Sequence, residues 1–297
     1  MPHQRQAFRA LIAAPELLLL PGAYDALSAR MIEAAGFPAL VAGGYAAIGS
    51  LLGQADMGQS NMRELAEHYT RICDAVDIPV YVDLDTGFGG VHNVRQAVRA
   101  FEKTGCAGFF VTDQVFPNRC GYLPGKAVVP IDEMLGRVYA ALDARTDPEL
   151  FICARTDVFS VQGLDAAIER CQRFMEAGVD MAKPQGVDTV DGIRQVCRRV
   201  PGPHFATLSQ AAGAGGLSFQ DLSDAGAAAA TLPSLALFAA AQGVTSILRT
   251  LKTATSVAQL QDGLLPLPDY YRLTGLDTLT QREAAYADRA QRQTGKN

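Results

Sequence analysis

A chain of 297 residues with 48% apolar and 19% charged residues has enough apolar side chains for a large core, and α/β barrels reach this length as one domain. A formal net charge of −5 and no Lys/Arg cluster argue against nucleic acid or an acidic membrane as partner. Six cysteines without a CxxC pair argue against a disulfide framework.

The N-terminal stretch MPHQRQAFRALIAAPE is amphipathic and lacks the apolar core of a signal peptide. Eight short apolar runs follow, each ending in polar residues or glycine: 17–24, 39–44, 80–85, 108–113, 150–156, 180–185, 204–209 and 227–233. Between them lie segments of helical period, such as YDALSARMIEAAG, NMRELAEHYTRICDAV and LDAAIERCQRFMEAG. Strands alternating with helices predict a parallel sheet, and eight strands are the number that closes a barrel. The rival, a doubly wound open sheet, requires a GxGxxG turn after the first strand, and PGAYDA does not supply one.

The longest apolar stretch, 225–244, is interrupted by Thr231, Pro233, Ser234 and Gln242 and does not read as a membrane span. The expectation is a cytoplasmic protein with a barrel over 1–253 and a helical extension over 254–297. In the extension, LTQREAAYADRAQRQ carries only a thin apolar stripe of Leu279, Ala284, Ala285 and Ala287. So thin a stripe cannot hold a lone helix in water and must pack on something.

In a barrel, the residues at the C-terminal strand ends surround the active site. Here those ends carry Gly43-Gly44, Asp83 and Asp85, Thr112 and Asp113, Arg155 and Asp157, Lys183 and Gln185, and Thr207 and Ser209. Strand alternation places Asp83 with Asp85, Arg155 with Asp157, and Lys183 with Gln185. In DLDTGFGG the two carboxylates repel unless a cation sits between them, and oxygen-only ligands suit Mg²⁺. The competing reading is a strand-end aspartate that caps the next helix.

The loop TDQVFPNRCGYLPGK, 112–126, sets Cys120 near Arg119 and Lys126. Cations make a thiol a better thiolate or a usable acid, whereas the plainer alternative is a cysteine tucked under a lid. Arg155 reads as a carboxylate fork, with a purely structural Arg155–Asp157 pair as its competitor. His3, His68, His92 and His204 show neither triad nor metal spacing and read as non-catalytic.

Taken as an ordered set, PGAYDALSARMIEAAGFPAL, DLDTGFGG, DQVFPNRCG…PGK, ARTDVFSVQGLDAAIER and EAGVDM resemble the isocitrate lyase/phosphoenolpyruvate mutase superfamily, from about residue 5 to residue 250. The likeness is greatest to its 2-methylisocitrate lyase and carboxyphosphonoenolpyruvate mutase-like branches. The resemblance implies a (β/α)8 TIM-type barrel, often with the eighth helix swapped between subunits, in a homodimer or homotetramer. It implies Mg²⁺, or Mn²⁺ in its place, bound through Asp83 or Asp85 with Asp56 partly through water. The implied partner is a small 2-hydroxy or 2-oxo carboxylate that reacts through an enolate. Gly43, Gly44 and Arg155 hold its carboxylate, and Cys120 protonates the departing carbanion under a closing loop. Tyr45, Gly121, Tyr122, Gln185 and Thr207 are the remaining substrate-facing positions.

The chain departs from the family pattern inside the site. Thr112 stands for a glutamate, Tyr122 for a histidine, Lys183 for a phenylalanine and Gln185 for a glutamate. Thr207, Ser209 and Gln210 replace an Asn, a Thr and a Glu, and Ala42 a serine. Two lost carboxylates at 112 and 185 and one gained ammonium make the site three charges less negative than the pattern, before Gln210 is counted. The expected activity is a Mg²⁺-dependent carbon–carbon lyase. The enzymatic alternatives are an oxaloacetate decarboxylase or hydrolase, or a mutase-like activity. In these, Lys183 replaces part of the metal's role as a fixed cation or a Schiff-base nucleophile. The alternative of another class is a carboxylate-binding barrel without chemistry.

Overall fold

Each apolar run forms a strand in the computed structural model, which describes residues 2–121, 123–208 and 216–294. The first half of the chain runs α1 (Pro2–Ala13), β1 (Leu18–Pro21), α2 (Ala26–Ala34), β2 (Leu40–Ala42), α3 (Gly44–Leu52), α4 (Met62–Ala75), β3 (Val80–Asp83), α5 (Val91–Glu102), β4 (Gly108–Thr112) and α6 (Ile131–Ala144). There follow β5 (Phe151–Thr156), α7 (Phe159–Gln162), α8 (Leu164–Glu176), β6 (Met181–Pro184), α9 (Val190–Arg199), β7 (Phe205–Thr207), α10 (Phe219–Ala225), β8 (Ala229–Leu232) and α11 (Leu235–Leu251).

Among the described residues, all strand pairs are parallel. One arc has the order β2-β3-β4-β5-β6 and the other β1-β8-β7, and a single bridge from Gly22 to Val41 joins the end of β1 to β2. Side chains alternate with period two. Leu40, Val82, Phe109 and Ile152 belong to the core cluster that includes helix residues such as Leu65, Ile72 and Phe101. Val41, Tyr81, Phe110, Phe151 and Phe205 form a second cluster with Leu20 and Phe8.

Phe8 of α1 stacks on Tyr81 at 5.6 Å and meets Phe151 edge-on, also at 5.6 Å. The amphipathic N-terminus is therefore a plug under the strands. Its position is fixed by buried Arg5, which donates to Asp147 Oδ2 and to the Glu102 carbonyl at 2.6 Å each. Composition did not reveal this role, because the segment that α1 seals lies elsewhere in the chain.

The chain divides into two compact units, Met1–Phe238 and Ala239–Asn297. The first contains all eight strands. The second comprises most of α11, a 3-10 segment (Val257–Gly263), α12 (Leu267–Thr274) and α13 (Leu276–Thr294). Gly275, left-handed at φ 73°, ends α12 and turns the chain into α13. No residue of α11, the 3-10 segment, α12 or α13 is buried. Among the described residues, no helix is long and apolar enough to cross a membrane.

Candidate active site

The strand ends converge on a cavity of about 340 Å³ in the first unit. One side of it is carboxylate. Asp83 is the last residue of β3, but Asp85 lies two residues beyond it at φ 50°, followed by Phe88 at φ 63°. Strand parity is therefore not what brings Asp83 and Asp85 together; a left-handed turn does. It is held by the Leu84 and Gly87 amides, which donate to the Phe110 and Leu84 carbonyls, and by the Thr112 amide, which donates to the Asp85 carbonyl. A bulky residue such as Phe88 in this backbone region is strained, a feature that clusters at functional sites.

Asp83 Oδ2 accepts from the Gly44 amide at 3.1 Å and Oδ1 from the Asp85 amide at 2.8 Å. Gly44 opens α3, so the positive end of a helix faces this carboxylate. A Cβ there would lie 3.1 Å from Asp83 Oδ2 and 3.4 Å from Asp85 Oδ1, so only glycine leaves the space between them open. Asn118 donates to Asp85 Oδ1 at 2.8 Å from the loop above. Asp56 accepts from the Gly58 amide at 3.2 Å. Burial raises the pKa of all three carboxyls; on Asp85, Asp83 and Asp56 add to it, while Arg155 opposes the rise on Asp83.

The other side is cationic. Arg155 and Lys183 are register partners on β5 and β6. Arg155 Nη2 donates to Asp157 Oδ1 at 2.9 Å, and its Nε lies 2.9 Å from Oδ2 but off-line for a hydrogen bond. The structural Arg155–Asp157 pair is thus present, and the Arg155 side chain lines the cavity as well. Asp157 also accepts from Thr112 Oγ1 at 2.8 Å and Lys126 Nζ at 3.1 Å. Burial would raise its pKa, yet Arg155 and Lys126 hold it below the usual value. The Lys126 ammonium is engaged by Asp157 and by the Gly121 carbonyl, next to Cys120. Asp113 belongs to the scaffold behind, accepting from Thr156 Oγ1, the Asp157 amide and Arg170.

The loop over the cavity is organised by Gln114. Its side chain accepts from the Arg119 amide and donates to the Arg119 carbonyl, both at 2.9 Å. Cys120 on this loop is half-buried and lines the cavity. It adds to the rise in the Tyr45 pKa that burial drives, and to that of Arg155, where burial acts downward but Asp157 and then Asp83 outweigh it. Deeper in, Lys183 Nζ donates to Thr207 Oγ1 at 2.6 Å, and Thr231 Oγ1 donates to the same oxygen at 2.9 Å. Burial, then Arg155, pushes the Lys183 pKa down to about 8.

The cavity gathers Gly43, Gly44, Tyr45, Asp56, Asp83, Asp85, Cys120, Gly121, Arg155, Lys183, Gln185 and Thr207. Tyr122, like Ser209 and Gln210, lies outside the described residues. Sequence reasoning missed Tyr81, Phe110, Asn118, Thr231 and Phe238, all of which line the cavity. Tyr81 and Phe110 were readable in principle as inward positions of β3 and β4; nothing local marks Asn118 or Phe238.

Among the described residues, no three His, Cys, Asp or Glu side chains form a ready-made cation cage. The buried, mutually repelling Asp83 and Asp85, with Asp56 lining the same cavity, nevertheless fit a hard divalent cation. Mg²⁺ in particular keeps several waters and binds through one or two carboxylates plus its substrate.

The family model described as phosphoenolpyruvate phosphomutase matches residues 8–252. A 2,3-dimethylmalate lyase of Eubacterium barkeri is 32% identical over 279 residues, covering 94% of this chain and 96% of that protein. A 2-methylisocitrate lyase of Escherichia coli is 37% identical over 275 residues, covering 90% and 93%. Among solved structures, a phosphoenolpyruvate phosphomutase from Streptomyces platensis superposes with a TM-score of 0.89 at 28% identity, covering 96% of this chain and 100% of that one.

Proposed function

The chain belongs to the phosphoenolpyruvate mutase/isocitrate lyase superfamily, and on that premise we propose that it is a cytoplasmic carbon–carbon lyase acting on a small 2-hydroxy or 2-oxo carboxylate. The observation that carries the reading is the opposition, within one cavity, of Asp83 and Asp85 to Arg155, with Cys120 on the loop. Asp83 and Asp85, helped by Asp56, would hold Mg²⁺, with Mn²⁺ as its substitute. When bound, such a cation polarises the substrate oxygens and offsets the charge that develops as the bond breaks.

The protein's own groups do the rest. The Gly44 amide fixes Asp83, and Asn118 fixes Asp85, so both carboxylates keep one orientation. Arg155, held rigid by Asp157, presents a fixed cation to the substrate carboxylate. Cys120 gives its proton to the departing carbon, which keeps the electron pair of the broken bond, and is left as a thiolate. The thiol must stay reduced for that task, which suits a reducing compartment. The loop carrying it excludes water while the carbanion exists.

The exposed apolar side chains of the second unit, including Val244, Leu248, Leu251, Leu264, Leu265 and Leu267, support a homodimer or homotetramer in which residues 254–297 take part. The activity reading is tested by incubating the protein and Mg²⁺ with 2-methylisocitrate, 2,3-dimethylmalate, oxaloacetate and phosphonopyruvate. The expected outcome is a keto acid released from one hydroxy or oxo acid and lost on chelation. No product from any of the four would overturn it.

A further inference from the structure

Lys183 is 3% exposed, yet it lines the cavity. Among the described residues its amine forms no ion pair; its hydrogen bond goes to a neutral hydroxyl, Thr207 Oγ1, at 2.6 Å. Two features separate this nitrogen from that of a surface lysine. It is desolvated, with the Phe110 ring 5.5 Å away. Its register partner on the adjacent strand is a second cation, Arg155, whose Cζ lies 5.5 Å from the same ring. The other titratable groups around it are Cys153 and Asp157 on the β5 side, Asp83 at the end of β3, and His204 just before β7. Cys153, Asp157 and Asp83 favour the ammonium, but burial and then Arg155 outweigh them and bring its pKa down to about 8. His204 adds no charge, because burial and then Lys183 lower its own pKa to about 3. Roughly a tenth of such amines carry a free lone pair at pH 7, against well under roughly one in a thousand for an ordinary lysine. Burial beside another cation is the environment that makes a lysine nucleophilic toward a carbonyl carbon.

We infer that Lys183 is a catalytic nucleophile that takes the carbonyl carbon of a 2-oxo acid as an imine. The inference rests on the reading that the cavity admits a small oxo carboxylate. It goes beyond that reading, because metal-assisted cleavage of a hydroxy acid needs no covalent bond to the protein. Adjacent parallel strands run about 4.8 Å apart. A carboxylate held by Arg155 on β5 therefore presents its neighbouring carbonyl carbon toward Lys183 on β6. The neutral Nζ adds to that carbon. Both hydrogens of the amine leave with the carbonyl oxygen as water, and C=N replaces C=O. Once protonated, the imine draws electrons from the next carbon. A group on that carbon can then depart without its bonding pair, which moves in to form an enamine. A proton at that carbon and a water at C2 restore the oxo acid and the free lysine.

Reductive trapping on the full chain with Mg²⁺ tests this. The protein is incubated with pyruvate and cyanoborohydride, which reduces an imine to a stable secondary amine, and intact and peptide masses are recorded. The wild type is expected to gain a single reduced pyruvate adduct per chain, on the peptide that carries Lys183. Lys183→Arg keeps the cation but forms no imine, and it should gain none; Lys183→Met should behave likewise. The peptide map reads the wild type alone, so it decides even where a variant folds poorly. A second measurement needs no reductant. Reversible imine formation replaces the carbonyl oxygen of pyruvate with one from water, so the wild type should speed uptake of oxygen from isotopically heavy water about 10-fold or more over Lys183→Arg. No adduct, an adduct spread over the other lysines, or equal oxygen exchange in wild type and Lys183→Arg would each overturn the nucleophile. Pyruvate that binds by calorimetry without an adduct sinks this inference and leaves the lyase reading standing. An adduct at Lys183 with no product from any of the four acids does the reverse.

Discussion

Residues 1–238 and 239–297 are unusual in opposite senses. The first unit buries charge: Asp56, Asp83, Asp85, Arg155 and Lys183 are each 9% exposed or less. The second exposes apolar surface, with Val257 at 72% and Tyr286 at 65%. Neither arrangement is favourable in an isolated chain in water. The buried charges make sense when a cation and an oxyanion fill the cavity, and the bare aliphatics make sense when another protein surface covers them. On the function proposed above, the two units call for opposite complements: ions for one, apolar area for the other.

The strongest way to break the comparison is to remove charge from the cavity. Asp85→Asn should lower turnover by about 10³-fold or more, because a cation-holding carboxylate is gone. It should also change how the metal-free protein responds to acid. Burial and its neighbours raise the Asp85 pKa in the folded state, so the folded protein binds more protons than the unfolded chain above the ordinary carboxylate range. Metal-free stability from this group is present at low pH and lost as pH rises through that window. Melting curves in chelator should show a shallower fall with pH in Asp85→Asn than in wild type. Equal slopes would mean that the carboxylate is not the strained group described.

Cys120→Ser tests the loop with a smaller expected effect, a loss of about 10²-fold in cleavage at unchanged melting temperature, since a hydroxyl is a much weaker acid. Wild-type rates in that variant would remove the thiol from the reaction. Lys126→Met breaks the buried pair with Asp157, whose side chains are 4% and 0% exposed. It should destabilise by ~3 kcal/mol, speed proteolysis of the loop, and raise KM about 10-fold with less change in kcat. A loop no more sensitive to protease would mean that Lys126 does not anchor it.

The last change addresses the other unit. Truncation before Pro266 should lower the particle mass in light scattering and leave the chemistry of the cavity nearly intact. An unchanged mass and melting temperature would sink the assembly proposed for the tail.

The eight strands and the DLDTGFGG pair were legible because periodicity and like charges at short spacing are local properties of a sequence. The partners of those residues were not. That Asp157 would take Arg155, Lys126 and Thr112 together depends on β4, β5 and the loop meeting in space. That Asn118 would reach Asp85 across 33 positions has no local sign. Asp85 itself was expected in the right place for the wrong reason, since only the left-handed turn, and not the alternation of β3, carries it there.

Gly121 sits so close to the strand ends that a Cβ would come within 2.6 Å of Arg155 Nη2 and 2.8 Å of Gln185 Cγ. Arg155 cannot yield, because Asp157 holds it, so a shorter residue at 185 would still leave the nearer contact in place. Position 121 is therefore closed to any side chain for as long as the Arg155–Asp157 pair stands. Substitutions that retune the pocket have to arise at the strand ends, 183 among them, and not at this point of its cover.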